Sequence, residues 1–216
     1  MVHQRTKDLI FNITYFITKL FRPYYLIKFR NSSNLWLHLG SGSNIIDGFI
    51  NIDGNPFRKR AIYYDIRNQL PFKKSSVQYI FISNVLEHFF PDELYLILNN
   101  IYEIMAKDGT LRIVVPDLEK AIDAYVRNDK SHFGDFPSSY QSIGGRFSNH
   151  IFCDAQHRIT FDFSFLQELL VKAGFQIGNI YKKQFGESNI TRVIYEKIKP
   201  FEEHFAKTDL FVEAIK

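Results

Sequence analysis

Residues 35–53, LWLHLGSGSNIIDGFINID, carry the reading that decides the fold. An apolar, strand-like run at 35–39 enters a glycine turn, Gly40-Ser41-Gly42, and a second run at 49–52 ends on the carboxylate of Asp53. Glycine lets the backbone turn sharply and approach a ligand closely, while an acid closing the next strand can accept hydrogen bonds from two ribose hydroxyls. The stretch therefore reads as a nucleotide-type cofactor site. The other reading of Asp53 is an aspartate that only opens the Asp53-Gly54 turn.

What the turn lacks narrows the cofactor. A dinucleotide fingerprint, G-x-G-x-x-G, needs a third glycine, and that position is Ile45. The 13 residues from Gly40 to Asp53 fall short of the roughly 20 of a dinucleotide unit, leaving room for about one turn of helix. No G-x-x-x-x-G-K-[ST] exists to wrap phosphates. A ribose cofactor without a phosphate cradle is favoured.

Further blocks follow in order: LHLGSGSN, FINID, YYDIRNQLPFKKSSVQYIFISNVLEH, AKDGTLRIVVPDLE and HRITFDFSFLQELLVKAGF, over residues 35–175, with a closing strand at 210–215. On this order the chain resembles the class I S-adenosylmethionine-dependent methyltransferases of the small bacterial kind. The resemblance implies an α/β, doubly wound, mostly parallel seven-stranded sheet (a Rossmann-like methyltransferase fold) and S-adenosylmethionine as cofactor. The turn offers cofactor contacts from Gly40, Ser41 and Gly42, with Asn44 able to add a side-chain hydrogen bond that the resemblance does not fix, and from Asp53 beyond it. The resemblance places Asp65 and Ile66 at the adenine, and Ser83 and Asn84 at the end of the fourth strand face the ligand crevice. For Asp65 a turn-capping role stays open.

Beside Asn84 stand Glu87 and His88. An imidazole titrates where a base can take a proton as a methyl group moves, so His88 is the candidate catalytic residue. The rival reading has Glu87 and His88 only orient the loop, since methyl transfer from a sulfonium needs little beyond alignment. Downstream, residues 149–158 gather His150, His157 and Arg158 with Glu87 as the candidate acceptor-facing set, and Glu187 and Ser188 join on resemblance alone. His150, Asp154 and His157 match no strong metal spacing such as H-E-x-x-H, and no metal is expected.

Composition bounds the rest. The 216 residues and 45% hydrophobic share suit one domain, 31–216, preceded by a flank at 1–30. The single cysteine, Cys153, excludes an internal disulfide, a C-x-x-C knuckle and cluster-based radical chemistry, so a cytoplasmic setting is expected. The net charge of +4 is concentrated, with +5 in the first 30 residues and −1 in the remainder. A nearly neutral body gives no reason to expect binding of long nucleic acid, and the fourth-strand motif SNVLEH lacks the Asp/Asn-Pro-Pro-aromatic pattern of DNA amino-methyltransferases. A small-molecule or glycan acceptor is expected. The alternative from another class is a cofactor-binding module acting as a scaffold in a biosynthetic assembly.

In the flank, Ile10, Ile13, Ile17 and Leu20 recur at helical spacing over 7–21, and Pro23 predicts a stop at Arg22. Two uses stay open, a structural cover on the core or a membrane-surface helix, given its basic and aromatic composition. Beyond it, strands are expected at 35–39, 49–52, 61–64, 77–82, 110–115, 176–181 and 210–215. Helices are expected at 91–106, and at 165–172 with Ser164 and Gln167 at capping-box spacing. The stretch 130–149, rich in Ser, Gly and aromatics, reads as an insertion that is either an acceptor-binding loop or an ordinary surface loop.

Overall fold

The computed structural model describes residues 4–216, so the first three residues of the expected flank lie outside it. Seven strands form one sheet in the order β3-β2-β1-β4-β5-β7-β6. They are β1 (Leu35–Leu39), β2 (Ile50–Asp53), β3 (Ile62–Tyr63), β4 (Val77–Ser83), β5 (Met105–Pro116), β6 (Ile180–Lys183) and β7 (Asp209–Ile215). The pairs from β3 across to β5 are parallel, and β7 runs antiparallel to both β5 and β6. The sheet is thus mostly parallel and doubly wound, as the alternation of apolar runs predicts.

Alternation along the central strands sends side chains to two different cores. Leu37, Leu39, Ile80, Ile82, Leu111, Ile113 and Val212 face the larger core, completed by helices α2 (Pro91–Ile104) and α5 (Phe163–Lys172). The opposite face is aromatic and polar. There Tyr79, Phe81, Val114 and Phe211 pack with Tyr195 and Ile198 of α6 (Arg192–Glu202). Within it Arg112, 0% exposed, donates two hydrogen bonds to Glu202 at 2.7 and 2.9 Å and one to Glu213 at 3.3 Å. Glu213 also accepts from the Asn189 amide and the Ser188 hydroxyl, and Arg112 donates to the Glu187 carbonyl. Glu187 and Ser188 therefore serve this buried ion network, and the expectation that they face the acceptor is corrected. Helices α3 (Leu118–Val126) and α4 (Ile143–Phe152) pack on each other through Ala121, Ala124, Phe133 and Phe147.

Several boundaries differ from the sequence reading, each for a physical reason. Helix α1 (Gln4–Phe29) passes through Pro23. Pro23 lies on the exposed side, and beyond it Tyr25 and Phe29 pack edge-on against Tyr64 and tilted against Phe72, which offsets the missing backbone bond. The cap of α5 is Asp162, whose carboxylate accepts from the Phe165 amide at 2.7 Å, and Ser164 only braces it at 2.8 Å. Helix α2 ends at Ile104 and feeds straight into β5. The strand expected at 176–181 begins as a single 3-10 turn, because Ile177 is exposed and only Ile180 is buried. The stretch read as a loop, 130–149, holds the start of α4 (Ile143–Phe152), capped by Ser142.

Candidate active site

The strand order reverses between β1 and β4, where an open parallel sheet leaves a crevice at its carboxyl ends. A cleft of about 350 Å³ lies there, a size suited to a small ligand. Each neighbouring strand end contributes to it: Gly40 and Gly42 after β1, Asp53 at the end of β2, Asp65 and Ile66 after β3, Asn84, Val85 and His88 after β4.

The glycine turn is built for close approach. Gly40 has φ +67°, and a side-chain carbon there would meet Val85 Cγ2 at 2.3 Å. No helix follows before β2. Instead side chains from β2 hold the loop. The Gly42 amide donates to Asp53 Oδ2 at 2.7 Å, and the Asn55 amide to Asp53 Oδ1 at 2.8 Å. Asn51 Oδ1 accepts from the Ile46 amide and from His38 Nδ1, at 3.0 and 3.1 Å. Burial holds His38 down to about 4, so it is neutral and donates through that nitrogen. Asp53 thus performs the turn-opening role and also faces the cleft.

Asp65 faces the cleft as well, but its carboxylate receives the Arg67 amide at 3.0 Å and the Arg67 guanidinium at 2.7 to 3.2 Å. The same guanidinium donates to the Phe11 carbonyl, Asn12 and Glu93. Arg67 consequently ties α1 across the cleft's edge, and α1 supplies Asp8 and Phe11 to the wall.

The other expected cofactor residues sit away from the cleft lining. Ser41 is buried with a hydroxyl that has no hydrogen-bond partner, Asn44 is exposed in the turn, and Ser83 accepts from the Asn84 amide group. Asn84 also donates to Asp209 on β7 at 3.1 Å, and burial raises that carboxyl to about 6.

The candidate catalytic residue His88 lines the cleft, and so does Arg158 of the acceptor set. Arg158 pairs with Asp8 at 2.6 Å and lies over the Phe90 ring. Glu87, His150 and His157 line a separate inner cavity of about 10 Å³ together with Asp117. Three successive left-handed residues, Cys153, Asp154 and Ala155, turn the chain out of α4 and deliver His157 beside His88, ring centroids 5.1 Å apart. Burial pushes the Glu87 carboxyl up to about 8, with the charge of Asp209 adding to it, and holds His150 and His157 down to about 4. Sequence reading missed Gly54, Asn55, Arg58, Tyr64, Phe89 and Gln156 in the cleft lining. Only Asn55 and Gln156 had a visible signal, as polar neighbours of motif residues.

No protein-family model matches the chain, and no curated protein matches it in sequence. Solved structures do resemble it. A SAM-dependent methyltransferase from Archaeoglobus fulgidus is 15% identical, with a TM-score of 0.52 over 94% of each chain. The plantazolicin methyltransferase BpumL, solved with SAH, is 16% identical, with a TM-score of 0.51 over 98% of this chain and 86% of its own. A putative methyltransferase solved with the Haloferax volcanii activator Trm112 is 14% identical, with a TM-score of 0.50 over 89% and 88%. Alongside the strand order and the cleft at its reversal, these likenesses give the conclusion that the chain has the fold of the S-adenosylmethionine-dependent methyltransferases.

Proposed function

We propose that the chain binds S-adenosylmethionine in the cleft between β1 and β4 and moves its methyl group to an oxygen or nitrogen of a small-molecule or glycan acceptor. The observation that carries this reading is the convergence of Gly40, Gly42, Asp53, Asp65, Ile66 and Asn84 on one cleft at the strand-order reversal. Asp53 keeps lone pairs for the ribose diol, while its bond to Gly42 fixes the turn against the methionine end. Ile66 offers apolar packing to adenine. Asp65 fixes that wall through Arg67 and has little acceptor capacity left for the adenine amino group.

Chemically, a lone pair on the acceptor attacks the methyl carbon in line, the carbon–sulfur pair stays on sulfur, and one proton leaves the acceptor. Holding the two groups in line supplies most of the rate. His88 on the cleft wall is placed to receive the proton. Calorimetric titration with S-adenosylmethionine, its demethylated product and NAD tests the cofactor, and the first two are expected to bind. Binding of NAD with no response to the other two would overturn the reading. Uptake of labelled methyl from cell extracts then separates an enzyme from a scaffold.

A further inference from the structure

Behind the His88 rim, three side chains converge in a way the cofactor cleft does not explain. Glu87, His88 and His157 each offer a ligand atom within 4.8 Å of the other two. Glu87 is 1% exposed, and both its carboxylate oxygens lie buried without a hydrogen-bond partner. A buried carboxylate left this way is costly, and native proteins compensate it with a partner, a water or an ion. The cavity beside it, about 10 Å³, accommodates one small particle, and Asp117 Oδ2 and His150 Nε2 on its wall are also without hydrogen-bond partners.

The two histidines carry the second observation. His88 Nδ1 lies 3.2 Å from the Gln156 carbonyl, and His157 Nδ1 lies 3.1 Å from the Ile151 carbonyl. A carbonyl only accepts, so each Nδ1 holds the proton and each Nε2 keeps a lone pair. Backbone carbonyls orient metal-binding imidazoles in this way.

We infer that Glu87, His88 and His157 form a site for one divalent transition metal of the Zn²⁺ or Mn²⁺ class. Two imidazoles with one carboxylate suit such ions, whereas Mg²⁺ favours oxygen ligands. Three protein ligands leave a position open, and His88 borders the cofactor cleft, so that position adjoins the acceptor. The inference deepens the methyl-transfer reading and rests on it for its chemistry. The acceptor is then a hydroxyl bound to the metal, which lowers its pKa. With its Nε2 on the metal, His88 would hold the ion instead of taking the proton, so the hydroxyl's proton would pass to water while the oxygen attacks the methyl carbon and the bond to sulfur breaks toward sulfur.

Binding is measured without turnover, so its failure is distinct from failure of the cofactor reading. Full-length protein stripped with chelator is titrated with Zn²⁺, Mn²⁺ and Mg²⁺ by calorimetry, and Co²⁺ is followed by its visible absorption. One Zn²⁺ per chain with no response to Mg²⁺ is expected, and Glu87→Gln and His88→Ala should each weaken Zn²⁺ at least tenfold while retaining the wild-type circular dichroism. His88 is exposed and Gln is nearly isosteric with Glu, so both variants should fold. Wild-type protein that takes up no Zn²⁺, or variants that bind it as tightly as wild type, would overturn the site.

A different observation concerns α1. The side that packs inward is partly polar. Thr14 and Thr18 are buried, Tyr63 donates to Thr14, the Asp65 amide donates to Thr18, and Arg22 donates to the Gln69 carbonyl. The outward side is apolar, with Leu9, Ile13, Phe16, Leu20, Tyr24 and Ile27 between 50% and 78% exposed, a stripe about 100° wide. Exposed Lys19, Lys28 and Arg30 accompany this stripe, and the only acid of α1, Asp8, is paired with Arg158. No described helix is long and apolar enough to cross a membrane.

We propose that this face lies on an anionic bilayer surface, the apolar stripe in the acyl boundary and the cations among the headgroups. The full chain should co-sediment with phosphatidylglycerol-containing vesicles and not with pure phosphatidylcholine, and high salt should weaken it. Leu20→Glu, at the most exposed position of the stripe, should reduce partitioning at least tenfold. Absence of sedimentation with either vesicle, or a salt-resistant dimer in ultracentrifugation that Leu20→Glu dissolves, would overturn it.

Discussion

Asp53 joins two roles in one side chain, and this shapes what its replacement does. Asp53→Ala removes the acceptor for a ribose and also frees the Gly42 and Asn55 amides, so cofactor affinity should fall by about 1.5 to 3 kcal/mol. Asp53→Asn, which keeps one carbonyl acceptor, should lose less. Calorimetry on both variants checks the order. Glu87 makes a separate prediction about pH in the metal-free chain. Its carboxyl titrates near 8 when folded and near 4.5 when unfolded, so the native state holds the extra proton and stability falls as pH rises through that window. His38, His150 and His157, depressed to about 4 from 6.5, act oppositely and only below 6.5. Asp209, raised to about 6, has finished by then. Between pH 6.5 and 8 Glu87 remains, beside His88 and His157 and under the field of Asp209, and the chain should lose about 2 kcal/mol. Glu87→Gln should flatten thermal melts across this range. Equal pH slopes in the two proteins would show that Glu87 is already ionised.

At the scale of elements, α1 shows how far periodicity carries and where it stops. The strand at Leu35–Leu39 was legible because an apolar run sits between Asn34 and Gly40, and α5 because its apolar spacing ends at Gly174. Periodicity also marked α1 as amphipathic, but hydrophobic spacing does not say which face a helix turns inward. Here hydrogen bonds from Tyr63, Asp65 and Arg67 chose the polar one. Pro23 misled for a related reason, since the packing of Tyr25 and Phe29 comes from residues far along the chain. The sequence reading grouped Glu87 with His150 and His157, but that they line an inner cavity apart from the cleft was not legible. His150 and His157 lie near in sequence to one another, but Glu87 reaches them only through the fold. Because Arg67 gathers Phe11, Asn12, Asp65 and Glu93, Arg67→Met should loosen α1 while sparing the sheet. Amide hydrogen exchange should then rise across Gln4–Phe29 and stay slow in β1, β4 and β5. Uniformly faster exchange would mean that Arg67 supports the whole molecule.

Across the whole molecule, the polar face of the sheet depends on one buried cation. Arg112 is flanked by the rings of Tyr195 and Phe211 and neutralises Glu202 and Glu213, so Arg112→Leu would leave two carboxylates buried without their counter-ion. A loss of about 3 to 5 kcal/mol in denaturant melts is expected. The order of the sheet adds a constraint on synthesis. Strand β6 touches the sheet only through β7, and β7 comes after it in the chain. While the ribosome is still making residues before Asp209, the parallel half from β3 to β5 can assemble, but β5 presents a bare edge and Arg112 waits for Glu213. A nascent chain arrested there should be cut readily by protease within β6 and α6, and it is at this moment that the protein most needs a chaperone to shield the edge that β7 will close.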